Sequence, residues 1–422
     1  MREPVSSAQS TASNTSPRHH LTPGAILTFL IFSFATLTIG IMALPRAGRL
    51  YDFRAFYGAG WLLLHNPHQL FSLSIQETVQ NAVVCPMYRG VPFYHPAYEA
   101  LLYAPLTLLS YRHAYIVFAV VNLLLLALCY RLAPLAADPR IARIPRPLLF
   151  FLCFPAFMAI AEGQDSIVFL LLLCLLWRAL ASTRDRTAGI LLAIGLFKLQ
   201  IALALLFFLA LFLPAPRRTR LLLSLAPSAA VVALLCVLIT GPRGIADWFH
   251  LVGSASIASH LNHHAQSVIA VYPKAMPTLN GLLFVCGARL LSPHLSLALD
   301  VLLSVIVFAA VVYLCRSARS LAVAFCAALA AALLLSPHLF LYDYVLLLLP
   351  VLLLAHPRQP FFTASYFLLA YILFILKGLD WFAFMAVVPL FLLAALLFDR
   401  TPNQARIPDA EKVTPHPLTA AE

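Results

Sequence analysis

An all-α, polytopic membrane protein is what this sequence predicts, on three observations: its composition, the length of its apolar runs and the placement of its basic residues. Of its 422 residues, 62% are hydrophobic and only 10% are charged, against about 25% charged in an ordinary soluble domain. A water-soluble core does not absorb that excess. Apolar runs of about 20 residues, the length that crosses a bilayer as a helix, recur between short polar stretches. The Lys and Arg residues gather in loops that alternate with the polar segments, as positive-inside asymmetry requires. That asymmetry accounts for most of the net charge of +12, which therefore gives no reason to expect a nucleic-acid partner.

Residues 1–24 are rich in Ser and Thr and read as a disordered tail, as does the stretch 399–422. The run Ala25–Leu44 is too long for a signal-peptide core and lacks a small-residue cleavage site, so it reads as a retained first span. Further spans are expected at His113–Ala133, Ile167–Ala181, Leu221–Thr240, Leu297–Cys315, Leu321–Leu335, Leu339–Ala355, Phe361–Leu376 and Trp381–Phe398. Leu148–Ala161, Ala97–Ser110, Leu279–Leu291 and the Lys198-interrupted Ala188–Leu213 read as short, broken or re-entrant helices. Backbone that leaves the helix at membrane depth is tolerated only where it is buried in protein or lines a cavity, so these breaks point to an internal site. The count comes to about 10–13 membrane helices, short and re-entrant ones included.

With the N-terminus in the cytoplasm, Arg131, Arg140, Arg143 and Arg146 fall inside, followed by Arg178, Arg184, Arg186, Arg217, Arg218, Arg220, Arg316, Arg319, Arg358 and the C-terminal tail. This parity requires Ala188–Leu213 to be a hairpin bent near Lys198, and Leu279–Leu291 not to cross. The outward segments are then 45–112, the Glu162–Asp165 turn, 241–278 and 336–344, within a membrane domain spanning 25–398. Seven of the eight cysteines lie in or beside apolar runs and act as small hydrophobes. Cys85 stands alone in an outer loop, and no disulfide framework or metal spacing follows.

Polar residues in the outward segments carry the candidate chemistry. Asp52 lies among aromatic residues at the membrane surface, where partial desolvation raises its basicity and suits a general base; a surface salt bridge with Arg54 is the competing reading. Lys198 interrupts an apolar stretch, where an ionisable group costs roughly 2.5–3.5 kcal/mol and faces a partner or a wet cavity. It suits an anionic group such as a lipid phosphate, against snorkelling at a hairpin apex. Glu162-Gly163-Gln164-Asp165 is either a plain turn or a set of hydrogen-bonding groups at a cavity mouth. His260, His263 and His264 lack the acid and spacing of a metal site and read as loop histidines that meet substrate or water. In Ser336–Tyr344 the tyrosines suit interfacial anchoring, whereas His338 and Asp343 call for another role.

Read together, Tyr51-Asp52-Phe53, Phe56-Tyr57, Ala59-Gly60, Asn66-Pro67 and Leu70-Phe71 resemble the first-loop signature of glycosyltransferase family 87. Phe93-Tyr94-His95-Pro96-Ala97-Tyr98 with Ala104-Pro105-Leu106, Gly163-Gln164-Asp165-Ser166, Phe197-Lys198-Leu199-Gln200, Gln266-Ser267 and Ser336-Pro337-His338 are similar to its later motifs, in order. One departure is that Ala265, not Asn, precedes Gln266-Ser267. The resemblance implies a GT-C-like fold and an inverting transfer of a hexose, mannose in members that use polyprenyl-phosphate mannose. The acceptor it implies is a hydroxyl of a lipid or glycan on the periplasmic side; the Arg-rich composition and free tails point to a bacterial inner membrane, and the basic loops to cytoplasmic termini. The resemblance implies Asp52 as catalytic base, with Lys198, His338, Arg112 and His113 toward the donor phosphate. Arg54, Tyr57, His95, Glu162, Gln164, Asp165, Gln200, Gln266 and Asp343 are then expected at the substrate. No metal and no cofactor is expected. The rival reading is a transporter or lipid flippase, since broken helices around a central charge also describe carriers.

Overall fold

The computed structural model describes residues 23–43, 51–86, 90–133, 150–261, 273–287, 292–318, 320–353, 368–376 and 378–398, and their regular structure is entirely helical. By length and composition, five stretches among them are able to cross a bilayer: Tyr111–Leu132, Asp185–Phe212, Ala215–Gly253, His294–Ser317 and Trp381–Phe398. Shorter apolar helices accompany them, so the protein is a membrane protein with multiple spans.

After α1 (Pro23–Ala43), the first polar segment builds two helices, α2 (Tyr51–His65) and α3 (Leu73–Val83). Between them and the next span runs an extended segment whose backbone has no sheet to pair with. Two buried glutamines of α3 take that place. Gln76 accepts from Phe93 N at 2.8 Å, and Gln80 accepts from Val91 N at 2.8 Å while donating to Val91 O at 2.7 Å. Buried backbone groups need such partners. The chain then makes a 3-10 turn at Ala97–Glu99, a helical turn at Ala100–Tyr103 and a second 3-10 turn at Ala104–Leu108, where Pro105 lacks the N–H that would extend the helix. Gly60 of α2 allows this short helix to approach, since a Cβ there would lie 2.7 Å from the Tyr103 carbonyl carbon.

The spans α4 (Tyr111–Leu132) and α6 (Ser166–Ala181) flank the short α5 (Phe154–Ala161). A tight turn joins α5 to α6. Gly163 N and Gln164 N donate to Ile160 O and Ala159 O at 3.1 and 2.7 Å, and Gly163 adopts φ 69°. A glycine in the left-handed region is the usual way to close a helix C-terminus. A Cβ at Gly163 would also collide with the Phe53 side chain. Gly163→Ala is therefore expected to destabilise the fold by at least the 1–2 kcal/mol that left-handed backbone costs an L-residue. Gly253→Ala, in a helix with open space around it, is expected to be neutral or stabilising by up to about 1 kcal/mol. Thermal unfolding in detergent should shift in opposite directions for the two.

The stretch Asp185–Phe212 folds back on itself. It comprises α7 (Asp185–Ile194), a 3-10 turn Gly195–Lys198 and α8 (Leu199–Phe212), and Lys198 has the non-helical angles φ −100° and ψ 64°. Asp185 Oδ1 accepts from Arg217 Nε at 2.9 Å and from Arg217 Nη2 at 2.7 Å, and Asp185 Oδ2 accepts from Arg220 Nη2 at 2.9 Å. Arg218 Nη1 meanwhile donates to Ala210 O at 3.4 Å. Both ends of the stretch thus converge on the start of α9 (Ala215–Leu261), and Lys198 forms the far apex. The two legs diverge: α7 packs along α9, and α8 packs along α11 (Pro293–Ser317) and α12 (Leu321–Leu334).

The segment after Thr240, expected as an outer loop, continues α9 past a kink. Pro242 removes a helix donor, and Gly241 turns to φ 74° to accommodate it. The freed Thr240 carbonyl lies 3.1 Å from His68 Nδ1, and the redirected helix places Trp248 Nε1 to donate to Tyr94 O at 2.7 Å. The described part of α10 (Leu279–Gly287) has 9 residues, about 13 Å at 1.5 Å per residue.

At the centre, every residue of α12 from Ala324 to Leu334 is buried. Its Ala-rich sequence lets α8 and α11 approach closely, the small-residue packing typical of membrane interiors. The expected span Leu339–Ala355 opens instead as a 3-10 segment, Leu341–Leu347, before α13 (Leu348–Leu353). Asp343 of this segment places its carboxylate at the hairpin apex, 2.7 Å from Lys198 Nζ. The last described elements are a 3-10 segment Gly378–Ala386 and α14 (Val387–Phe398). Exposed leucines, valines and isoleucines such as Leu302, Val305 and Ile306 of α11 face outward, as lipid contact demands.

Candidate active site

Three helix termini and the hairpin apex meet at one end of the bundle. The N-terminus of α2 is hooked to the α5–α6 turn, because Phe53 N donates to Glu162 O at 2.9 Å. One of the orphan donors of a helix start is satisfied this way. Asp52, one residue earlier, is half-buried, and its carboxylate accepts hydrogen bonds from the side chains of Gln164 and Tyr342. Burial raises its pKa above the ordinary aspartate value, and those two hydrogen bonds oppose the rise. The carboxylate is therefore more basic than a solvated one.

Beside it runs a buried line of alternating charge. Glu99 Oε2 lies 2.5 Å from His95 Nδ1, which lies 3.5 Å from Asp165 Oδ2. Asp165 Oδ1 lies 2.7 Å from Lys198 Nζ, which lies 2.7 Å from Asp343 Oδ1. Ser166 Oγ donates to the same Asp343 oxygen at 2.7 Å. The 3-10 turn that carries Glu99 is tied to the apex by Tyr98 Oη, which donates to Ile194 O at 2.8 Å. Burial raises the Glu99 pKa to about 8, against the pull of His95. His95 itself is raised despite burial, because Glu99 and Asp165 favour its charged form. His338 completes the rim, 5.9 Å from the Tyr94 ring centroid; burial lowers its pKa to about 4, so it is neutral at pH 7. Gln200 Nε2 donates to the His338 carbonyl at 3.4 Å.

Of the residues singled out from the sequence, Asp52, His95, Gln164, Asp165, Lys198, Gln200, His338 and Asp343 converge here, with Glu162 supplying the backbone hook. Others do not. Arg54 is fully buried, but its guanidinium donates to Gln80 Oε1 at 3.1 Å, Asn81 Oδ1 at 2.6 Å and Cys85 O at 2.7 Å. It clamps α2 to α3 and makes no salt bridge with Asp52. Tyr57 Oη donates to Leu109 O at 2.8 Å and braces α2 against the turn that precedes α4. His113 Nδ1 pairs with Ser110 Oγ at 2.7 Å at the exposed start of α4, where Arg112 is also exposed. Neither joins the charged line among the described contacts. Gln266, His263 and His264 lie outside the described residues.

Two participants were missed by sequence reasoning. Tyr342 was read as an interfacial anchor but hydrogen-bonds Asp52. Glu99 was passed over within the aromatic-Pro motif, although an acid inside an otherwise apolar stretch is the signal that would have found it.

The arrangement offers a basic carboxylate, a neutral imidazole donor and a fixed ammonium at the mouth of a membrane bundle. No curated protein and no solved structure matches the chain. The family model for glycosyltransferase family 87 matches residues 93–337. That segment carries His95, Glu99, Asp165 and Lys198 and stops short of Asp52 and His338. It covers more than half of the sequence, and the chain belongs to glycosyltransferase family 87, as a membrane enzyme that transfers sugar from a donor to an acceptor.

Proposed function

We propose that this enzyme transfers a hexose, mannose first among the candidates, from a polyprenyl phosphate to a hydroxyl of a lipid or glycan acceptor, with inversion. The observation that carries this reading is Asp52: a half-buried carboxylate held by Gln164 and Tyr342 at a helix start, with Arg54 and Lys198 both engaged elsewhere. A carboxylate so placed accepts the proton of an incoming hydroxyl while the opposite face of the sugar loses phosphate. His338, neutral and able to donate, is assigned to that phosphate, and Lys198 supports it through whatever N–H its two carboxylates leave. Donor-side roles for Arg112 and His113 would need the lipid phosphate to sit over the start of α4.

The site is taken to face the periplasm, with both termini in the cytoplasm of an inner membrane. The supporting feature is that Arg131, Arg178 and Arg316 end the helices α4, α6 and α11, and Arg217 and Arg220 begin α9. Positive residues at that end favour the cytoplasm.

The test is transfer by purified protein given radiolabelled polyprenyl-phosphate mannose and a membrane lipid extract. Consumption of donor with appearance of a mannosylated product is expected. If the protein consumes no polyprenyl-linked sugar and instead carries a solute or lipid across vesicles, the transporter reading replaces this one.

A further inference from the structure

The polar line beside Asp52 holds more carboxyl groups than basic ones. Asp52, Glu99, Asp165 and Asp343 meet at one end of the bundle, and the cations described among them are Lys198 and His95. Lys198 is shared between Asp165 and Asp343, and Arg54 is turned away toward α3. Buried carboxyl groups gathered in this way are satisfied by a shared proton or by a cation, and a donor phosphate entering this site would bring a further anion to it.

The excess is concentrated at one place. His95, Glu99 and Asp165 bring one imidazole nitrogen and two carboxylates within 4.8 Å of one another. Glu99 is 1% exposed and Asp165 0%. Both oxygens of each carboxylate, together with His95 Nδ1, are buried without a hydrogen bond of acceptable direction. The short separations to His95 and Lys198 are therefore ion pairs by distance, with donors poorly aimed. Asp165 divides its oxygens, Oδ1 toward Lys198 and Oδ2 toward His95, so Oδ2 remains for a ligand on the side of Glu99. The whole triad is held by elements already fixed: the 3-10 turn anchored through Tyr98, and the N-cap of α6.

We propose that His95, Glu99 and Asp165 form a binding site for a divalent cation of the Mg2+ or Mn2+ class. One imidazole and two carboxylates make a hard donor set suited to those ions. Ligand atoms on one Mg2+ ion lie no more than about 4.2 Å apart, twice a bond of ~2.1 Å, so an inward shift of roughly half an ångström brings the widest pair within reach of one ion. Water or a donor phosphate oxygen would fill the remaining positions, as Mg2+ sites commonly use substrate phosphate. Cation binding stands on these residues alone; only the ion's use, holding the phosphate of the donor, rests on the proposed function.

The test uses the full chain in lipid nanodiscs, stripped with chelator and titrated with Mn2+ under electron paramagnetic resonance. One tightly held Mn2+ per chain is expected, with echo modulation from a histidine nitrogen. Glu99→Gln and His95→Gln should each weaken it at least ~10-fold, while Asp247→Asn, an exposed acid in the outer half of α9, should leave it unchanged. The absence of bound Mn2+, or Mn2+ held without nitrogen modulation in the wild type, overturns the site even if the variants fail to fold. Equal binding by folded Glu99→Gln does the same. Mn2+ bound as expected, in a protein that consumes no polyprenyl-phosphate mannose, keeps the cation site and removes only the donor reading.

Discussion

Asp52→Asn is expected to lower sugar transfer by ~10²- to 10⁴-fold, the range that a positioned general base contributes, while leaving donor affinity within a few-fold of wild type. The substitution keeps the shape of the side chain and its place between Gln164 and Tyr342, so the loss would be one of proton acceptance. The pH profile gives the sharper check. The reactive form is the carboxylate, and burial raises its pKa above the usual aspartate value. Activity should therefore rise with pH through a limb lying above the ordinary carboxylate range, and fall away as pH drops through it. Gln164→Leu removes a hydrogen bond that favours the ionised form, so it should move that limb further up. His338, already neutral at pH 7, contributes no limb between pH 5 and 8. A rate that ignores pH, or an Asp52→Asn variant as active as wild type, would remove Asp52 from the chemistry.

The residues that converge at the site were legible because each is polar where its surroundings are not. Lys198 in an apolar hairpin and Asp165 at a turn between two apolar runs stand out on a hydropathy reading, and topology by charge parity put both at one membrane face. Arg54 shows where such reading stops. Two residues from Asp52 in sequence, it suggested a salt bridge, yet on a helix positions i and i+2 do not share a face. The same geometry that turns Asp52 toward Gln164 turns Arg54 toward Gln80 and Asn81. Arg112 and His113 lie near the outer loop in sequence, and the contact with Ser110 holds His113 at the exposed start of α4, apart from the charged line among the described contacts. The apolar run ends at Thr240, so hydropathy and charge parity make the segment after it an outer loop. Here the left-handed freedom of Gly241 and the contact from His68 let the helix resume. What no local pattern could show is that Glu99, His95, Asp165, Lys198 and Asp343 form a single line, since their spacing in sequence exceeds 200 residues.

Lys198→Met is expected to damage stability and transfer together, and the comparison between the two effects decides what the lysine does. Its ammonium lies 2.7 Å from both Asp165 and Asp343 and bridges the α6 N-cap to the 3-10 start of the α13 segment. Removing one partner from a buried ion pair leaves uncompensated charge and costs about 3–5 kcal/mol; here two carboxylates lose their partner at once. Thermal unfolding in detergent should fall accordingly. Adding Asp343→Asn removes one of the stranded charges and should restore part of that stability, a coupling measurable as a double-mutant cycle. Lys198→Arg should not substitute cleanly, because a planar guanidinium does not occupy the point position that two converging carboxylates define. Should the double variant regain stability yet transfer nothing, the lysine has a role beyond bridging, and the donor phosphate is the anion it would meet. Should Lys198→Met unfold like wild type and lose only transfer, the bridge is weaker than its distances indicate, and the phosphate role stands alone. Unchanged stability and unchanged transfer would mean that the apex of the hairpin lies elsewhere.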